Sequence, residues 1–208
     1  MSSRGHFISL EGGEGVGKST QVRALAEALK SHGLDVLVTR EPGGSEGAEA
    51  IRELVLSGTE TRWCAHAEAL LFAAARADHV DKTIEPALEA GRWVISDRFV
   101  DSSLAYQGGA GGLGIEAVRE INAFAVRGRF PDRTLVLTAE DGAERARARD
   151  ADGSDRIGGR SADYHHKVDT AFRLIAIEEP ERVVLVDASG SAEQVTERLL
   201  EAIADLLP

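Results

Sequence analysis

Near-continuous apolar runs recur along the chain at 6–11, 34–39, 93–96, 134–138 and 182–187. Short runs with little polar alternation are the pattern of strands buried on both faces. Between them lie segments with helical spacing at about 18–31, 45–57, 66–90, 114–127, 140–150, 161–178 and 191–206. Strand and helix alternating in this way predict an α/β fold, a five-stranded parallel sheet flanked by helices. Ligands of such sheets bind beyond the carboxyl ends of the strands, so the residues just after each strand are the candidates for chemistry. No repeat or linker divides the chain, which reads as one domain over 1–208. Two glycine-rich stretches, 107–114 and 151–160, read as mobile elements within it.

Charge and composition narrow the partners. A net charge of −11 argues against a general nucleic-acid or membrane binder, because phosphate surfaces repel it. Local arginines can still hold a small anion. Cys64 is the one cysteine, so an intrachain disulfide and a cysteine metal cage are both ruled out. No apolar run approaches membrane-span length, and residues 1–5 lead into the first strand without a signal-peptide core. A cytoplasmic location is the expectation.

The strongest chemical signal is Gly12-Gly13-Glu14-Gly15-Val16-Gly17-Lys18-Ser19-Thr20, which satisfies G-x-x-x-x-G-K-[ST] between a strand-like and a helix-like segment. Glycines let the backbone turn its N–H groups onto phosphate oxygens, and the following helix N-terminus adds partial positive charge. Lys18 is expected at the β- and γ-phosphates of a nucleoside triphosphate, and the Ser19 hydroxyl at Mg²⁺. Glu14 inside the loop is either a solvated carboxylate or a partner for a sugar hydroxyl or Mg²⁺ waters. After the second run, Arg40 and Glu41 either pair on the surface or face the site. After the third, Asp97 stands where P-loop proteins hold the Mg²⁺ shell, and Arg98 can clamp a phosphate. Phe72 and Arg76 share a helix face, and that spacing alone favours a core ring beside a solvated cation over a base-binding pair. Arg145, Arg147 and Arg149, followed by Arg156, could neutralise charge on a transferred phosphoryl group or simply favour a helix C-terminus. The neighbouring His165 and His166 read as surface or structural groups.

Taken together, Thr39-Arg40-Glu41-Pro42-Gly43-Gly44, Asp97-Arg98-Phe99, the Asp101–Gly108 stretch and Arg145–Arg149 with Asp155-Arg156 resemble the bacterial thymidylate kinases nearly end to end. The resemblance implies a P-loop kinase with an arginine-bearing lid at about 145–160, transferring the γ-phosphoryl group of ATP to dTMP with Mg²⁺, as a homodimer. It implies that Phe72 stacks on thymine and Arg76 bonds its edge. Arg98 would hold the dTMP phosphate with Arg40 near it, Ser103 and Gln107 would lie by the base, and Tyr106 would pack against C2′. Glu14 would face the 3′-hydroxyl, with Lys18, Ser19 and Asp97 serving ATP and Mg²⁺. Among the lid arginines, Arg149 and Arg156 are the expected catalytic groups, with Arg147 in reserve. Phe99 and Gly158 depart from the family pattern, where Tyr or His and an acid are frequent. Among rivals, a nucleoside kinase would need Glu41 or Asp97 as a base. A GTPase would carry Asn-Lys-x-Asp, which this chain lacks. A partition-type ATPase would hydrolyse ATP without an acceptor.

Overall fold

The computed structural model describes residues 4–139 and 156–208. Five strands, β1 (Phe7–Gly12), β2 (Val36–Arg40), β3 (Trp93–Asp97), β4 (Arg133–Thr138) and β5 (Val183–Asp187), form one parallel sheet in the order β2-β3-β1-β4-β5. β1 is central and every one of its residues is buried. Its side chains alternate between two cores, which explains the near-continuous apolar run. Phe7 joins Val94, Val136, Phe99, Leu104 and Phe172 on one side of the sheet. Ile8 and Leu10 join Ile95, Leu135, Leu137, Leu25 and Leu29 on the other. Each such side chain contributes about 1.5–3 kcal/mol by leaving water.

The register aligns the strand ends that matter. Leu10 and Arg40 both lie opposite Asp97, and Gly12 lies opposite Leu137. The turn after β1 therefore opens at the carboxyl edge, beside the segments that leave β2 and β3. Around the sheet run α1 (Lys18–Ser31), α2 (Glu46–Leu56), α3 (Ala65–His79), α4 (Glu85–Glu89), α5 (Val100–Ser103), α6 (Ile115–Ala125), α7 (Ala162–Glu178) and α8 (Ala192–Glu201). Ser45, Ser161 and Ser191 cap α2, α7 and α8 through their side chains, each satisfying a free N–H of the first turn.

Two sequence expectations change. The helix expected over 66–90 is widened by a π turn at Val80–Ile84. Pro86 follows in the first turn of α4 and has no N–H to continue the ladder. The stretch 107–114 is not a mobile loop throughout, since Leu104–Ala110 forms a π-helical segment running on from α5. Its glycines serve close packing: a Cβ on Gly109 would stand 2.7 Å from the Ala171 Cβ of α7. The expected helix at 140–150, and with it Arg145, Arg147 and Arg149, lies outside the described residues.

Candidate active site

The loop after β1 curls through positive φ at Gly12 (133°), Gly15 (72°) and Gly17 (94°), a region that side chains disfavour. At Gly12 a Cβ would also meet the Leu137 carbonyl oxygen at 2.5 Å, and at Gly13 it would meet Asp169 of α7 at 2.8 Å. Val16 turns into the core under α1. Helix α1 begins with Gly17 as its N-cap, without a side-chain cap and without an acid in its first turn. Lys18 folds back into the loop, donating to the carbonyls of Gly12 at 3.2 Å and Gly13 at 2.6 Å. Burial, helped by the nearby Arg98 charge, pulls its ammonium down to about 8, against the pull of Glu14, Asp97 and Glu11. Ser19 Oγ donates to Asp97 Oδ2 at 2.8 Å.

Beyond the loop lies a cavity of about 430 Å³, within the range of small-molecule sites. Loop residues Glu14, Gly15, Gly17, Lys18, Ser19 and Thr20 form one wall, with Asp97 and Arg98 beside them. The opposite wall carries Phe72, Arg76, Ser103, Tyr106 and Gln107, and Arg40 stands at the rim. Of the expected site residues that are described, Gly12, Gly13, Val16 and Arg156 do not line this space.

Arg98 is the junction of the two walls. Its backbone sits at φ 72°, a left-handed conformation costing about 1–3 kcal/mol in a non-glycine residue, the kind of strain found at functional sites. That turn sends its guanidinium back under the phosphate loop. Nη1 donates to the Gly12 carbonyl at 3.2 Å and Ser102 Oγ at 3.0 Å, while Nη2 donates to Glu14 Oε1 at 2.6 Å. The guanidinium also lies 5.0 Å from the centre of the Tyr106 ring. Burial would raise the Glu14 carboxyl, but the charges of Arg98 and Lys18 and the Tyr106 hydroxyl bring it below the usual range. Glu14 therefore pairs with Arg98 while its side chain stays partly exposed.

Beneath Arg98 sits a carboxyl to which the sequence reading gave no role. Glu11 is fully buried, accepting from the Phe99 N–H at 2.7 Å and from Ser102 Oγ at 2.5 Å. Burial and the Asp101 charge push it up to about 8. It ties down Phe99 and Ser102, just after the strained Arg98. Strand periodicity places Glu11 on a buried strand, and an acid there was a legible signal that it had a partner.

The other wall is knitted by ion pairs. Arg76 is 2% exposed and donates from Nε to Glu41 Oε2 at 2.7 Å. Arg40 does not pair with Glu41; it meets both Glu49 oxygens at 3.1 Å and stays exposed. Ser103 Oγ accepts from Arg76 Nη1 at 3.0 Å, and Gln107 donates to Glu68 Oε1 at 2.9 Å. Phe72 is partly buried, with the apolar core on one side and the cavity on the other. Arg52 also lines the cavity, held by the Pro42 carbonyl at 2.6 Å, and sequence spacing gave no hint of it.

Arg156 lies elsewhere. Its side chain is fully buried, donating to the Val55 carbonyl at 3.0 Å, the Glu60 carbonyl at 3.2 Å and Glu68 Oε2 at 2.6 Å. Arg160 joins the same Glu68 oxygen at 2.6 Å. His165 caps the Gly158 carbonyl at 3.1 Å and does not line the cavity.

A central phosphate loop facing, across one cavity, a wall that holds Arg76 and is joined to the loop by Arg98 makes this a P-loop kinase. A family model described as "Thymidylate kinase" matches residues 10–199. The chain is 60% identical over 206 residues to a thymidylate kinase of Rhizorhabdus wittichii, covering 98% of this chain and 99% of that one. It is 47% identical to a thymidylate kinase of Bradyrhizobium diazoefficiens, covering 100% of this chain and 92% of the relative. A crystal structure of thymidylate kinase from Ehrlichia chaffeensis superposes with a TM-score of 0.80 at 28% identity, covering 96% and 99% of the two chains. The chain belongs to the thymidylate kinase family.

Proposed function

We infer that the protein transfers the γ-phosphoryl group of ATP to dTMP, giving ADP and dTDP, for dTTP synthesis. The observation that carries this reading is Arg98, a charged group wedged between the phosphate loop and the wall bearing Phe72 and Arg76. We assign ATP to the loop, 12–20, and dTMP to the chamber opposite. Lys18 then exchanges its two carbonyl partners for phosphate oxygens, and the arriving negative charge extends its ammonium form to higher pH. Arg98 turns one face to the dTMP phosphate while Glu14 and Tyr106 keep it in register and meet the sugar. Phe72 stacks on the base, Arg76 and Ser103 meet its edge, and Gln107 borders it. Arg40 at the rim is a weaker, solvent-screened contact.

The acceptor is a phosphate oxygen, ionised near neutral pH, so the site needs no general base. It must instead bring two anions together in line and hold the charge that builds between them. Among the described residues no group of three or more His, Cys, Asp or Glu could hold a metal. The Ser19 hydroxyl and Asp97 carboxylate are hard oxygen donors of the number Mg²⁺ takes when phosphates and water fill its other positions. They would hold Mg²⁺ arriving with ATP, which supplies neutralisation of the phosphate oxygens. We assign Arg149 to the transferred group, with Arg147 in reserve. Arg156, closed in by Glu68 and the Val55 and Glu60 carbonyls, would have to leave these partners to act on the transferred group.

The homodimer rests on exposed apolar residues of two packed helices, Leu70 of α3 (57% exposed) and Phe124 of α6 (89% exposed). No helix of the described residues is long and apolar enough to cross a membrane. We place the enzyme in the cytoplasm, with small-molecule substrates and neither nucleic acid nor membrane as partner.

ADP formation from ATP with dTMP, dUMP, dCMP, dGMP, AMP or thymidine tests the function. The expected order has dTMP first, with dUMP reduced, since one methyl in an apolar slot is worth about 1–3 kcal/mol. Phosphorylation of thymidine without dTMP, or full-rate hydrolysis with no acceptor, would contradict the reading.

A further inference from the structure

Arg76 does not stand alone in the wall of the cavity. Four of its five N–H groups are committed: Nε to Glu41, Nη1 to Ser103 and to Asn122, and Nη2 to the Phe99 carbonyl at 3.0 Å. The guanidinium lies 5.3 Å from the centre of the Phe99 ring. Among the described residues, one Nη2 N–H is left for a ligand in the cavity that Arg76 lines.

Glu41 in turn is held by a group outside the cavity lining. His79, fully buried at the end of α3, approaches Glu41 Oε1 with Nδ1 at 2.9 Å. A carboxylate only accepts, so Nδ1 is the donor. On the far side of the ring, Nε2 meets Thr39 Oγ1 at 2.7 Å. Space for this contact exists because residue 44 is glycine: a Cβ there would lie 2.3 Å from His79 Nε2 and 2.5 Å from Thr39 Oγ1. A chain of contacts therefore runs Thr39–His79–Glu41–Arg76, from the end of β2 through the end of α3 into the cavity.

We propose that His79 is a positioning residue for base selection, holding Glu41 so that Arg76 presents its one remaining N–H in a fixed direction. This rests on the reading of Arg76 as a contact to the base edge. A directed donor matches a pyrimidine with a ring carbonyl oxygen at that place. It meets the exocyclic amino group of a cytosine donor to donor, leaving buried polar groups unpaired. Without His79, Glu41 can turn away, Arg76 loses its direction, and discrimination falls while the ATP side is untouched.

The test compares wild type with His79→Leu, His79→Asn and Thr39→Val, measuring kcat and KM for dTMP, dCMP and ATP. His79→Leu should raise the dTMP KM about ten- to a hundredfold, as small misplacements near a site can do, and narrow the dTMP:dCMP ratio of kcat/KM by a similar factor. Its ATP KM should stay within about twofold of wild type, as expected for a group remote from the phosphate loop. His79→Asn, with an amide N–H near the place of Nδ1, should recover most of the loss. Thr39→Val should shift both quantities the same way by less, and it carries the test if His79→Leu does not fold. A dTMP KM and dTMP:dCMP ratio unchanged from wild type would overturn the proposal, as would a loss shared equally by dTMP, dCMP and ATP. Wild-type enzyme inactive on dTMP would instead overturn the kinase reading itself, and this inference with it.

Discussion

At the phosphate loop, nine consecutive residues do their work chiefly through backbone: three glycines at positive φ, a helix start and one lysine. Across the cavity the wall is made of side chains from α3, α5 and the π-helical segment that follows it, residues more than thirty positions apart in places, and Arg98 joins it to the loop. The loop holds an anion by geometry that any triphosphate satisfies. The opposite wall holds its ligand by charges that are themselves caged, Arg98 by Glu14 and Arg76 by Glu41. One region is general and tolerant of its surroundings. The other depends on partners that must all be in place, so selectivity belongs there.

The largest effect expected from this contrast is on turnover. Lys18→Ala should lower kcat by about 10²–10³ or more, the scale of losing one aimed donor to developing charge, while dTMP binding measured alone stays near wild type. Equal weakening of dTMP binding would blur the division between the two regions. Phe72→Ala should weaken dTMP by about 1–3 kcal/mol if the ring stacks on a base, with ATP unaffected. Wild-type dTMP affinity in that variant would return Phe72 to a packing role.

The pH dependence separates the regions again. Lys18 is pulled down to about 8 in the free protein, so its charge is present below that value and lost above it. The kcat/KM for ATP should therefore fall as pH rises through 8. The kcat, which reports the enzyme with triphosphate bound, should stay flatter up to about pH 9. Parallel falls in both would mean that bound phosphate does not restore the ammonium. The smallest effect is at the rim. Arg40 is exposed and paired with Glu49, so Arg40→Ala should change the dTMP KM by less than about threefold, as for screened surface charges.

The same contrast explains what could be read from the chain. The five strands and the phosphate loop are contiguous patterns, legible within single stretches of the chain, whereas the strand order and register come from the structure. The acceptor wall is not contiguous. Glu14 and Arg98 are 84 positions apart, and nothing in either neighbourhood names the other. Spacing placed Phe72 and Arg76 on one face and favoured a solvated cation. Arg76 is in fact buried, because Glu41, 35 positions earlier, neutralises it. The glycine at 109 suggested motion where it lets two helical segments touch, since the residue it approaches, Ala171, is distant in sequence. The resemblance implied a catalytic role for Arg156, and its place in the chain gave no sign that its guanidinium lies with Glu68, 88 positions away. In each case the missing information was a partner rather than a residue.

Equilibrium titration of Arg98→Ala with dTMP and, separately, with ATP tests the central claim most directly. Removing one member of a buried charge pair costs about 2–5 kcal/mol, so dTMP affinity should fall by at least about thirtyfold while ATP affinity moves by less than about threefold. Equal losses for both nucleotides, or an unchanged dTMP affinity, would contradict the account of Arg98 as the anion clamp of the acceptor side.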